Sequence, residues 1–90
     1  MERKKIIEFL KKVTIQNGIK KAFLFGSFAR GEKYHDIDIA IEPPEGFTLL
    51  DLSRIANEIK DKLGVEVDLI TTRSIHPLLK ESIQRDLVLI

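Results

Sequence analysis

Residues 36–42, Asp-Ile-Asp-Ile-Ala-Ile-Glu, alternate strictly between apolar and polar or small side chains. A period of two marks a strand with one face turned to a core, because successive side chains leave an extended chain on opposite sides. Ile37, Ile39 and Ile41 therefore face inward, and Asp36, Asp38, Ala40 and Glu42 share the other face. The rest of the chain has to cover the isoleucine face, which restricts it to folds that pack helices or further strands against a sheet.

The flanking segments supply that cover. Residues 2–16 carry Ile6, Ile7, Leu10 and Val13 at helical spacing, with Asn17-Gly18 as a stop. Lys4, Lys5, Lys11 and Lys12 lie off that stripe and read as solvated surface, not as a nucleic-acid or membrane face. Residues 21–25 (Lys-Ala-Phe-Leu-Phe) suit a buried strand, a turn follows at Gly26-Ser27, and Phe28 to Lys33 leaves room for one short helical turn. Pro43-Pro44-Glu45-Gly46 forms a loop, since neither proline can donate to a ladder. Thr48 and Asp51 then resemble a capping box opening a helix whose stripe is Leu49, Leu52, Ile55, Ala56, Ile59 and Leu63, closed by Gly64. Residues 65–70 alternate again, with Val65, Val67 and Leu69 inward and Glu66 and Asp68 on the second face. Pro77 suits the first turn of a last helix through Ile83, and 87–90 a short closing strand. The order α-β-α-β-α-β-α-β predicts one α/β sheet with helices packed against it, a single domain over residues 1–90.

Composition narrows the function. The 90 residues hold 15 Lys and Arg against 14 Asp and Glu, a net charge of +1, which argues against a non-specific nucleic-acid binder that needs a strongly basic face. There is no cysteine, so a disulfide framework, a thiolate zinc site and a cysteine nucleophile are excluded. The start at Met1-Glu2-Arg3-Lys4-Lys5 is not an apolar signal segment, and no apolar run approaches the ~20 residues that span a bilayer. The expectation is a soluble cytoplasmic protein.

The acidic residues carry the chemistry. Taken alone, aspartates two apart on a strand are its solvated face. Here they stand at the strand's start, just after a glycine-bearing turn, and Asp68 recurs in the next strand. Carboxylates that converge repel one another unless a cation neutralises them, and oxygen-only ligands select magnesium or manganese over zinc. Magnesium held by a few carboxylates completes its shell with water and substrate phosphates, which calls for a nucleotide. Gly26-Ser27 supplies the complementary half: glycine lets a phosphate approach the backbone, helix-start amides favour anions, and the Ser27 hydroxyl adds a donor. Arg30, one turn on, offers a forked pair of donors. Gly26 and Gly31 have the glycine spacing of a P-loop, but Glu32-Lys33-Tyr34 follows where that motif needs Lys and then Ser or Thr.

Gly26-Ser27-Phe28-Ala29-Arg30-Gly31 followed by His35-Asp36-Ile37-Asp38-Ile39-Ala40-Ile41 resembles the Gly-Ser…Asp-x-Asp signature of DNA polymerase beta-type nucleotidyltransferases. With Asp68 in Val-Asp-Leu-Ile, the chain is similar to the minimal nucleotidyltransferases, often antitoxins paired with HEPN-domain toxins. The resemblance covers 22–72 most clearly and implies a small mixed β-sheet. It implies that Asp36 and Asp38 bind two Mg2+ ions, that Gly26 and Ser27 hold the triphosphate of ATP, and that Asp68 completes one metal site. It also implies transfer of AMP to a hydroxyl, often a tyrosine of the HEPN partner. His35 departs from the serine that many members carry there. The competing readings are a non-catalytic antitoxin that inhibits by covering its partner, and transfer to a small molecule such as an aminoglycoside, for which the chain lacks an added acceptor-binding domain. The small size suggests that a macromolecular acceptor completes the site, with residues 43–47 and 87–90 as candidate docking edges, the alternative being that Phe47 and the terminal strand finish the core.

Overall fold

The isoleucine face of residues 36–42 lies at the centre of the protein. The structure is a computed structural model that describes residues 2–74 and 88–90. Ile37, Ile39 and Ile41 are each at most 1% exposed, on the strand β2 (Asp36–Glu42). Burying a side chain of this size stabilises by roughly 1.5–3 kcal/mol, so these three supply a large part of the driving force.

β2 pairs antiparallel with β1 (Lys21–Phe25) and parallel with β3 (Glu66–Thr71). β4 (Val88–Leu89) adds antiparallel to β1, giving a mixed sheet in the order β3-β2-β1-β4. The parallel pair follows from the connection. A hairpin cannot return a chain in the same direction, and the crossover between β2 and β3 runs through the helix α3 (Leu49–Leu63). That helix carries its own boundaries. Thr48 Oγ1 accepts from Asp51 N at 3.3 Å, Asp51 Oδ2 accepts from Thr48 N at 2.9 Å, and Gly64 closes the helix in the left-handed region at φ 69°.

The first helix, α1 (Arg3–Gln16), has no side-chain cap at its start. At its end Asn17 donates from Nδ2 to Val13 O at 2.7 Å and accepts from Arg54 of α3 at 3.0 Å. Ile6, Leu10 and Val13 of α1, Ala22 and Leu24 of β1, Ile55 and Ile59 of α3, Leu69 of β3 and Phe28 complete the core around the β2 isoleucines.

Two expectations need correction, and the placement of Ala40 gains a detail. Leu49 is 81% exposed and Leu50 82%, so the buried stripe of α3 begins only at Leu52, and the capping box rather than packing holds its first turn. Ala40 is 1% exposed although it points away from the isoleucine core. It is flanked in register by the larger residues Phe23 and Ile70. Phe47 packs against the core and is not a free docking residue, whereas Val88 and Leu89 are exposed. Leu87 and the helix expected from Pro77 to Ile83 lie outside the described residues. Among the described residues, no helix is long and apolar enough to cross a membrane.

Candidate active site

The second face of the sheet is organised in cross-strand rows. One row is Phe25, Asp38 and Asp68; beside it runs Phe23, Ala40 and Ile70; and Asp36 stands opposite Glu66. The three aspartates singled out in the sequence thus meet on one patch, at the end where β1 stops and β2 starts. Parallel register sets Asp68 directly beside Asp38, and the two-residue period sets Asp36 on the same face of β2.

Their electrostatics follow from that placement. Asp38 is half-buried and its pKa is pushed up from 3.8 to about 6. Burial is the largest cause, as expected beside the apolar row, and the negative charges of Asp36 and Asp68 push in the same direction while Arg30 opposes them. Asp68 is exposed, at the open side of the patch. An oxygen-only donor set with this mutual repulsion fits a hard divalent cation in kind. Among the described residues, however, no three His, Cys, Asp or Glu side chains stand grouped so as to hold a metal ion between them.

The turn that follows β1 is built around the same carboxylate. Gly26 opens the short helix α2 (Gly26–Ala29) with φ 73°, a region that disfavours any side chain. Space forbids one as well: a Cβ at Gly26 would overlap Asp38 Oδ2 and stand 3.2 Å from the carboxyl carbon. A glycine here suits phosphate approach, and it also lies close against the acidic strand. Ser27 is half-buried on the next position of the turn.

Arg30 follows α2 and pairs through Nε with Glu32 Oε1 at 3.0 Å, with both side chains substantially exposed. Such a surface pair is worth about 0–1 kcal/mol, so a phosphate can compete for the guanidinium. His35 is exposed on the bend before β2. A cavity of about 360 Å³ lined by Gly18, Lys20, Glu42, Pro43 and Pro44 lies at the opposite end of the β1–β2 pair, away from the three aspartates.

One contributor was not legible in the sequence. Arg3, in the first turn of α1, donates to the backbone oxygens of Phe28 and Ala29 and lies over the Phe28 ring, 4.4 Å from its centroid. A basic residue opening a lysine-rich helix carries no local sign of a contact 25 residues away.

Known proteins share this fold. The sequence profile of the nucleotidyltransferase domain matches residues 3–90. A proposed protein adenylyltransferase of Methanocaldococcus jannaschii is 48% identical over 88 residues, covering 96% of this chain and 90% of the relative. The solved structure of a proposed minimal nucleotidyltransferase superposes with a TM-score of 0.81 at 31% identity, covering 98% of this chain and 95% of that one. A chain of a toxin–antitoxin crystal structure with AMP-PNP superposes with a TM-score of 0.76 at 25% identity, covering 99% and 72%.

Proposed function

We propose, from the premise that this chain belongs to the nucleotidyltransferase-domain family and is a nucleotidyltransferase, that it moves AMP from ATP to a hydroxyl of a partner protein. The acceptor is a tyrosine of a HEPN-domain toxin, and the chain is its antitoxin, a single cytoplasmic domain that binds no nucleic acid directly. The observation that carries this is the packing of the Gly26 turn against Asp38 on a patch shared with Asp36 and Asp68. The similarity to a protein adenylyltransferase and to a toxin–antitoxin structure with AMP-PNP supports the nucleotide and the kind of partner.

Asp36, Asp38 and Asp68 would hold two Mg2+ ions, which when bound neutralise triphosphate charge and lower the pKa of the acceptor hydroxyl. The chain's own groups do the rest by position and charge. Gly26 keeps the space above Asp38 clear of a side chain, Ser27 donates its hydroxyl to a phosphate oxygen, and Arg30 leaves Glu32 to pair with another. The acceptor oxygen attacks the α-phosphorus and forms the new O–P bond. The bond to the bridging oxygen breaks, pyrophosphate leaves, and Asp68 takes the hydroxyl proton at a carboxylate oxygen.

The competing reading is an antitoxin that inhibits by cover alone. Co-expression with a HEPN-domain protein from the same source separates the two. The enzymatic reading expects a stable complex on size-exclusion chromatography and, with ATP and magnesium, an AMP-sized mass added to the partner. A partner that co-purifies without gaining that mass leaves the covering antitoxin.

A further inference from the structure

A helix of four residues cannot hold itself. Nucleation is unfavourable, and the carbonyls of a single turn have no following turn to bond them. In α2 every carbonyl is nevertheless bonded. Gly26 O accepts from Arg30 N at 3.2 Å, Ser27 O from Glu32 N at 3.0 Å, and Phe28 O from Gly31 N at 3.1 Å. Arg3 reaches the end of the turn from α1: Nη1 donates to Phe28 O, and Nη2 donates to Ala29 O at 3.3 Å. Its guanidinium also covers the ring of Phe28, which is 1% exposed and meets Tyr34 edge-on at 4.7 Å, two residues ahead of Asp36. One side chain therefore fastens α1 to the end of the turn and, through two rings that meet edge to face, to the approach of the acidic strand. A cation at a helix C-terminus is also favourably placed against the helix dipole. Lysine cannot reproduce this, because a single ammonium has neither the planar fork nor the flat face.

We infer that Arg3 is a positioning residue for the nucleotide turn: by bonding the Phe28 and Ala29 carbonyls it holds Gly26 and Ser27 in the geometry that presents them to the triphosphate. The inference rests on the reading of Gly26 and Ser27 as the triphosphate cradle, and Arg3 acts through the turn, not on the nucleotide. In Arg3→Ala, backbone hydrogen exchange across residues 26–31 rises about tenfold and affinity for ATP with magnesium falls about tenfold, the scale of a lost charge-assisted hydrogen bond. Exchange in α3 stays at the parental rate. Arg3→Lys falls between the two, and it carries the test alone if circular dichroism shows Arg3→Ala unfolded. Parental exchange across 26–31, or faster exchange there with parental ATP affinity, overturns the inference; so does an Arg3→Lys variant that matches the parent in both. A parent protein that binds no ATP in the same titration refutes the cradle reading and the inference with it. A parent that binds while its variants bind equally well refutes the inference alone.

Discussion

Helices α2 and α3 lie at opposite extremes of self-sufficiency. α3 has 15 residues, a capping box at its start, a left-handed glycine at its end and two basic residues in its last turn. α2 has four residues and no side-chain cap, and it stands because Arg3 and the loop amides bond its carbonyls while Asp38 leaves room only for a glycine. The element that carries the fold is specified by its own residues, and the element that carries the site is specified by distant ones. Damage to α3 should therefore cost stability and spare nucleotide binding, whereas damage to α2 should cost both or binding alone.

The largest break in this comparison is Gly26→Val. A branched side chain meets a left-handed backbone and the Asp38 carboxylate together, so the variant should lose about 3 kcal/mol of stability and about a hundredfold in ATP affinity. Chemical denaturation and calorimetric titration measure the two losses; parental affinity would mean that the turn does not touch the nucleotide.

Next is Thr48→Ala, which removes the α3 cap. It should cost about 1 kcal/mol and lower Tm by about 4–8 °C with ATP affinity unchanged. A comparable loss of affinity would show that the two helices are not independent.

The smallest effect tests the electrostatics of Asp38. Its folded pKa, about 6, lies above the ordinary 3.8, so the folded state favours the protonated form. The parent should lose stability as pH rises from about 4 to about 6 and stay lower above that. Two units would carry ~3 kcal/mol, which solvent screening at this half-open position reduces to about 1 kcal/mol. Asp38→Asn keeps the shape without the charge. It should match the parent's Tm near pH 4 and exceed it at pH 8, and a gap that does not change with pH would contradict the burial and repulsion that raise the Asp38 pKa.

The same division decides what was legible in the sequence. Both ends of β2 follow from its alternation, and the limits of α3 follow from Thr48, Asp51 and Gly64, because those signals are local in the chain. The convergence of Asp36, Asp38 and Asp68 follows from their places at the strand starts, and the parallel register of β3 sets the last of them beside Asp38. The clamp on α2 depends on Arg3 in another helix. The exposure of Leu49 was missed for a related reason, since helical spacing identifies an apolar side but not how far along the helix a partner surface extends.

If the acidic patch and the glycine turn form one site for a metal-bound nucleotide, neutralising the patch must abolish nucleotide binding. Calorimetric titration of ATP with magnesium into the parent and into Asp36→Asn with Asp38→Asn decides this. The parent should bind, and the double variant should lose binding by about a hundredfold or more while its Tm at pH 8 is equal to or above the parent's. A double variant that binds ATP and magnesium as the parent does would rule out a shared site.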